Sequence, residues 1–193
     1  MRARSRFVVA GVVVVLLVCA FMLPRQSPAR RQATDRAGLS VLVTTPHAPL
    51  SSYQRAIALA DELLRAHPRG ARLLRARALA LRHWADTLAD AGDRSGAVAR
   101  TREAILAFEA VDRLPDETVA DRVAVATLYV VLGDRLARVP RDDGDTSAIT
   151  RAYGRAVALL RDMQRAYPDD VAIAMQLDGA RLKLATVERD AVR

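Results

Sequence analysis

From residue 51 onward, apolar side chains recur at steps of three and four, the spacing that lines one face of an α-helix. The clearest stripe is Ile149, Tyr153, Ala156, Leu160, Met163 and Tyr167. Others are Leu74, Ala78, Leu81, Trp84 or Ala85, and Leu88; Val98, Ile105, Phe108 and Val111; and Ala174, Leu177, Ala180, Leu184 and Val187. Pro68, Gly92, Pro115, the run VPRDDGDT at 139–146 and Pro168 separate the stripes. Six helices are predicted, at about 51–67, 70–91, 96–114, 117–138, 147–167 and 171–190. The expected N-caps are Ser51 or Ser52, Asp93 or Ser95, Asp145, Thr146 or Ser147, and Asp169 or Asp170. The Val-rich stretch 122–133 has strand propensity, but it is too long for one strand and lies between helices, so it is read as helix. Short connections make three antiparallel hairpins, an all-α domain.

The helices repeat. Tyr53–Pro68 and Tyr153–Pro168 agree without gaps at eight of sixteen positions, and a weaker copy, RTREAILAFEAVDRLP, ends at Pro115. A repeated helical unit points to stacked hairpins rather than a closed bundle.

Before the repeats the pattern changes. Residues 7–23 are seventeen consecutive apolar positions behind a basic head, MRARSR. As a helix they span about 26 Å, close to the thickness of a bilayer core and longer than the core of most signal peptides. The expected organisation is a signal anchor or transmembrane helix at 1–23, a Pro-containing linker at 24–50 and the repeat domain at 51–193. A short basic head favours the head inside and the helical domain on the extracytoplasmic face. The alternative is a cleaved, secreted form, with Ser27 and Ala29 as the small residues before the cut.

Charge sharpens this reading. The formal net charge of +8 is concentrated in residues 1–36, which carry seven Arg and one Asp; residues 37–193 carry 23 basic against 21 acidic side chains. The excess flanks the apolar segment, and no basic stripe with interleaved aromatics exists, which argues against nucleic acid. Lys183 is the only lysine, and its rarity reads as genome composition. Cys19 is the only cysteine, so no internal disulfide or thiolate cluster can form.

Candidate chemistry is sparse. His83 shares a helical face with Asp86 and Asp90, but no second His or Cys ligand is near in sequence, and a solvated polar face is the simpler reading. Asp142, Asp143 and Asp145 around Gly144 look like a calcium loop. Tyr153 stands where its closing glutamate is needed, so a turn with a helix cap is preferred. No serine elbow, phosphate-cradling glycine loop or HExxH occurs. No catalytic, metal or cofactor residue is therefore assigned.

The units are similar to tetratricopeptide-like (TPR-like) repeats of a long-period variety. The fourth helix carries Tyr129, Leu132, Gly133 and Leu136 in the pattern of that family's first helix, and the second carries Leu81, Trp84, Ala85 and Leu88, followed by Gly92 and Ala97. Tyr53/Ala56 and Tyr153/Ala156 match the family's second helix, with Thr101 standing where an aromatic is usual. The segment from 128 to 159 is also similar to long-period repeats that often follow bacterial serine/threonine kinase domains. The terminal prolines lie 47 and 53 residues apart, further than the family's standard period. The resemblance implies a TPR-like α-solenoid, and a groove for a protein partner, a short segment or helix, with Arg82, Asp86, Val130 and Asp134 towards it. The expected function is a membrane-anchored interaction scaffold or assembly factor, not an enzyme. The alternatives are a ligand- or envelope-polymer-sensing accessory domain and a helical enzyme or metal-binding domain using His83 with Asp86. Exposed apolar ends on so short a stack also suggest a homodimer.

Overall fold

The computed structural model describes residues 49–139 and 146–191. They form six α-helices and, among the described residues, no strand: α1 (Leu50–Ala66), α2 (Ala71–Asp90), α3 (Arg94–Val111), α4 (Val119–Arg138), α5 (Thr146–Ala166) and α6 (Val171–Ala191). The apolar segment 7–23, the linker before residue 49 and the Asp142–Asp145 loop lie outside the described residues. No described helix is long and apolar enough to cross a membrane.

Local chemistry sets most of the boundaries. Asp93 caps α3 by accepting from Gly96 N at 2.9 Å, and Asp170 caps α6 by accepting from Ala172 N at 2.9 Å and Ile173 N at 3.1 Å. Gly92, with φ +82°, turns the chain between α2 and α3, a conformation that side chains with a Cβ rarely adopt. The Val-rich segment is helical, held at its start by a reciprocal capping box. Asp121 N donates to Thr118 Oγ1 at 3.2 Å while Thr118 N donates to Asp121 Oδ2 at 2.8 Å.

Four expectations need correction. Neither Ser51 nor Ser52 caps α1; the helix starts at Leu50 after Pro49, with no side-chain cap. The third helix stops at Val111 rather than 114, because residues 112–118 form a turn that contains Pro115. Tyr167 is 43% exposed, since α5 ends one residue before it and the helical stripe no longer sets its direction. On α6 the buried positions are Ile173, Leu177 and Ala180, with Ala174 only half-buried.

Each helix packs against the next in sequence, and α4 also approaches α6. The core follows the same progression as three neighbouring clusters. One joins α1 and α2 through Ala56, Ala60, Leu63, Leu73 and Ala80. The second runs from α2 to α5 around Leu81, Phe108, Leu128 and Ile149. The third joins α4, α5 and α6 around Val157, Leu160, Met163, Ile173 and Leu177.

Polar contacts fix how alternate helices lie. Arg75 and Asp86 of α2 meet Asp121 and Arg135 of α4. Thr127 and Asp134 of α4 meet Gln176 and Lys183 of α6. In both cases the contacts advance together along the two helices, so α2, α4 and α6 run parallel, side by side. Three of these contacts, Asp86 with Arg135, Thr127 with Gln176 and Asp134 with Lys183, span the same 49 residues.

Candidate functional site

Two of the residues expected to line a groove, Asp86 and Asp134, are the acidic halves of these cross-helix pairs. Each belongs to a joint of three consecutive helices. In the first, Arg135 of α4 donates from Nη2 to Asp86 Oδ1 of α2 at 2.5 Å and from Nη1 to Thr101 Oγ1 of α3. Thr101 is fully buried and itself donates to Ala97 O at 2.7 Å. In the second, Lys183 of α6 donates to Asp134 Oδ1 of α4 at 2.5 Å and lies 5.9 Å from the ring centre of Tyr153 on α5. Tyr153 donates to the same Asp134 oxygen at 2.6 Å. Burial, and then that hydrogen bond, push the Tyr153 hydroxyl well above the usual phenol range, so it stays a donor.

The close approach at the second joint depends on one glycine. A Cβ on Gly133 would sit 2.5 Å from Tyr153 Cε1 and 2.7 Å from Cζ, well inside van der Waals contact. Ala85 occupies the corresponding place on α2 and is fully buried.

The other two expected groove residues differ from these. Val130 is half-buried and packs against both larger core clusters, so it helps hold α4 in place. Arg82 is half-buried and makes no ion pair among the described residues. Of the four, Arg82 is the one that joins neither a cross-helix ion pair nor a core cluster among the described residues. His83 stacks on Tyr53 of α1, ring centres 6.1 Å apart and planes 23° from parallel, while Asp86 turns to Arg135. His83 and Asp86 thus face different partners, and no group of three metal-ligating side chains is found among the described residues.

The start of α4 carries the other α2–α4 contact. Arg75 grips Asp121 with a fork, Nε to Oδ1 at 2.8 Å and Nη2 to Oδ2 at 2.7 Å, and also reaches Asp116 O. The Arg75 guanidinium holds the Asp121 carboxyl below the usual carboxylate range. Just before it, Glu117 is pushed up to about 7, first by burial and then by the hydrogen bond and charge of Asp112. Arg122 Nε is 3.5 Å from Glu117 Oε1, which has no hydrogen-bond partner. A cleft of about 260 Å³ opens beside this turn, lined by Glu109, Asp112, Arg113, Arg122, Val125, Arg155 and Leu159. Its lining mixes both signs of charge, so it selects neither an anion nor a cation.

Local periodicity missed Arg75, Arg135 and Lys183. Their partners are 46 or 49 residues away, beyond any helical window. The available signal was an Asp and a basic residue recurring together: Asp86 and Asp134 are 48 apart, as are Arg135 and Lys183. No family model matches the chain, and no match was found among curated proteins or solved structures.

Proposed function

We propose that this protein is a membrane-anchored scaffold or assembly factor. In this reading residues 7–23 fix it to the membrane, and a TPR-like stack on the extracytoplasmic face holds a short segment or helix of a protein partner. The observation that carries the reading is the repeated joint: parallel alternate helices α2, α4 and α6, tied by the ion pairs Asp86–Arg135 and Asp134–Lys183, each spanning 49 residues. Stacked hairpins of this kind leave one face of the alternate helices free for a partner. The acidic residues of that ladder serve the stack itself, and Arg82 is the residue of the expected groove left to engage a partner. The mixed-charge cleft beside Glu117 supplies no nucleophile paired with a base, so a scaffold is preferred to an enzyme.

The test is crosslinking of the full-length chain in cells, read by mass spectrometry, beside Arg82→Glu. One protein captured by the wild type and lost in a folded Arg82→Glu variant is the expected outcome. Equal capture by both removes Arg82 from the site. A chain that stays soluble after cell fractionation removes the anchor.

A further inference from the structure

The outer face of α6 carries an exposed apolar patch beside Asp178. Val171, Met175 and Leu182 are 69%, 71% and 68% exposed, and they lie on one side of the helix with Gly179, where an added Cβ would meet open space. Their place in the repeat shows what this face is. Forty-eight residues earlier stand Val123, Thr127 and Asp134, the side of α4 turned towards α6. The outer face of α6 therefore occupies the position at which α4 receives the following helix, and no described helix covers it. It also departs from the preceding rung. Leu182 stands where Asp86 and Asp134 bind a cation, so what docks here must present apolar surface rather than another basic rung.

We propose that this face pairs with the same face of a second copy, the two α6 helices running antiparallel about a two-fold axis beside Gly179 and Ala180. A surface that meets itself must be self-complementary, and this one is. An antiparallel register about that point lays Met175 of one copy near Leu182 of the other. It sets Asp178 opposite Arg181 and Asp170 opposite Arg189, each pair twice by symmetry. Asp178 and Arg181 now hold only each other, 3.3 Å apart and half or more exposed, so both can exchange partners freely. Gly179 at the centre allows the backbones to approach closely. A parallel arrangement would instead set Asp178 beside Asp178 and Arg181 beside Arg181. The pairing rests on the exposed patch, the 48-residue register and the charge pattern of α6, and not on the groove, so failure to capture a heterologous partner leaves it standing.

The experiment uses the full-length chain with Cys19→Ser and Gly179→Cys, oxidised in its membranes. A cysteine on the two-fold axis is expected to give a covalent dimer at twice 21.0 kDa on a non-reducing gel. Leu106→Cys, at a position of α3 whose side chain is 64% exposed, serves as the collision control and is expected to stay monomeric. Adding Met175→Glu with Leu182→Glu to the Gly179→Cys chain is expected to abolish the dimer band without loss of helical circular dichroism, because both side chains are exposed. Absence of the Gly179→Cys dimer overturns the proposal. So does an equal band from Leu106→Cys, persistence of the band with both glutamates present, or an open series of higher assemblies in sedimentation of the cysteine-free chain.

Discussion

At the α2–α3–α4 joint the cation lies beneath the surface, with 9% of the Arg135 side chain exposed; at the α4–α5–α6 joint Lys183 keeps 41%. The acids reverse the order, Asp86 at 45% and Asp134 at 32%. The residue contributed by the middle helix accounts for the difference. Thr101 is small, and the Arg135 guanidinium reaches inward to its hydroxyl. Tyr153 fills the same region, its ring over Gly133, and uses its own hydroxyl to satisfy Asp134, so the cation stays at the rim. One connecting plan thus supports a buried polar link and a surface one, and side-chain volume on the intervening helix selects between them.

The strongest way to break the comparison is at Gly133. Gly133→Val drives two methyl groups into the Tyr153 ring, which is nearly buried and held by Asp134, so neither can yield cheaply. A loss of about 3 kcal/mol is expected in denaturant unfolding. Pairing the milder Gly133→Ala with Tyr153→Thr copies the first joint into the second. Because the clash between the two side chains disappears with the ring, the double variant is expected to lose less than the sum of the two single losses, and simple additivity would mean that Gly133 and Tyr153 do not constrain each other.

Arg135→Ala comes next. It leaves Thr101 and a stem-sized void inside, while Asp86 is exposed enough to recover water. A loss of about 2 kcal/mol is expected, below the range for breaking a fully buried pair. A double-mutant cycle with Asp86→Asn isolates the coupling, and a value near zero would reduce Arg135 to a packing residue.

The other end of the α2–α4 contact can be read by pH. Glu117 has a folded-state value of about 7, above its unfolded value, so the native state holds a proton that the unfolded chain releases at lower pH. Its stabilising contribution is full below the unfolded value and is lost as pH rises through about 7. The melting temperature is therefore expected to fall between pH 5 and pH 8, and Glu117→Gln is expected to flatten that slope. Asp121 acts in the opposite direction and only in acid, because Arg75 lowers its value: its contribution disappears as pH falls through that depressed range.

The contrast between the joints also explains what could be read from the chain. Proline, glycine and aspartate act within a few residues, so Pro68, Gly92, Pro168, Asp93 and Asp170 disclosed the helix limits, and stripes such as Ile149–Met163 disclosed the core. Thr101 was visible as a departure from an aromatic position, but its consequence was not, since the Arg135 it admits lies 34 residues on. Lys183 looked incidental because the meaning of one lysine depends on an aspartate 49 residues earlier. Their position in a motif points Asp86 and Asp134 towards a groove, and the same two carboxylates tie α2 to α4 and α4 to α6.

The smallest effects lie at the exposed joint and test whether its polar groups matter at all. Tyr153→Phe keeps the ring over Gly133 and removes only the hydroxyl, so it isolates one hydrogen bond to a half-buried carboxylate and is expected to cost about 1 kcal/mol. Lys183→Ala removes a cation whose side chain is 41% exposed, and a loss of under about 1 kcal/mol is expected, shrinking further in high salt. Combining the two leaves Asp134 without either donor. If Asp134 then simply hydrates, the two losses add. If they exceed their sum, the tyrosine and lysine act as one unit around a single oxygen, and the surface joint is as cooperative as the buried one despite its exposure.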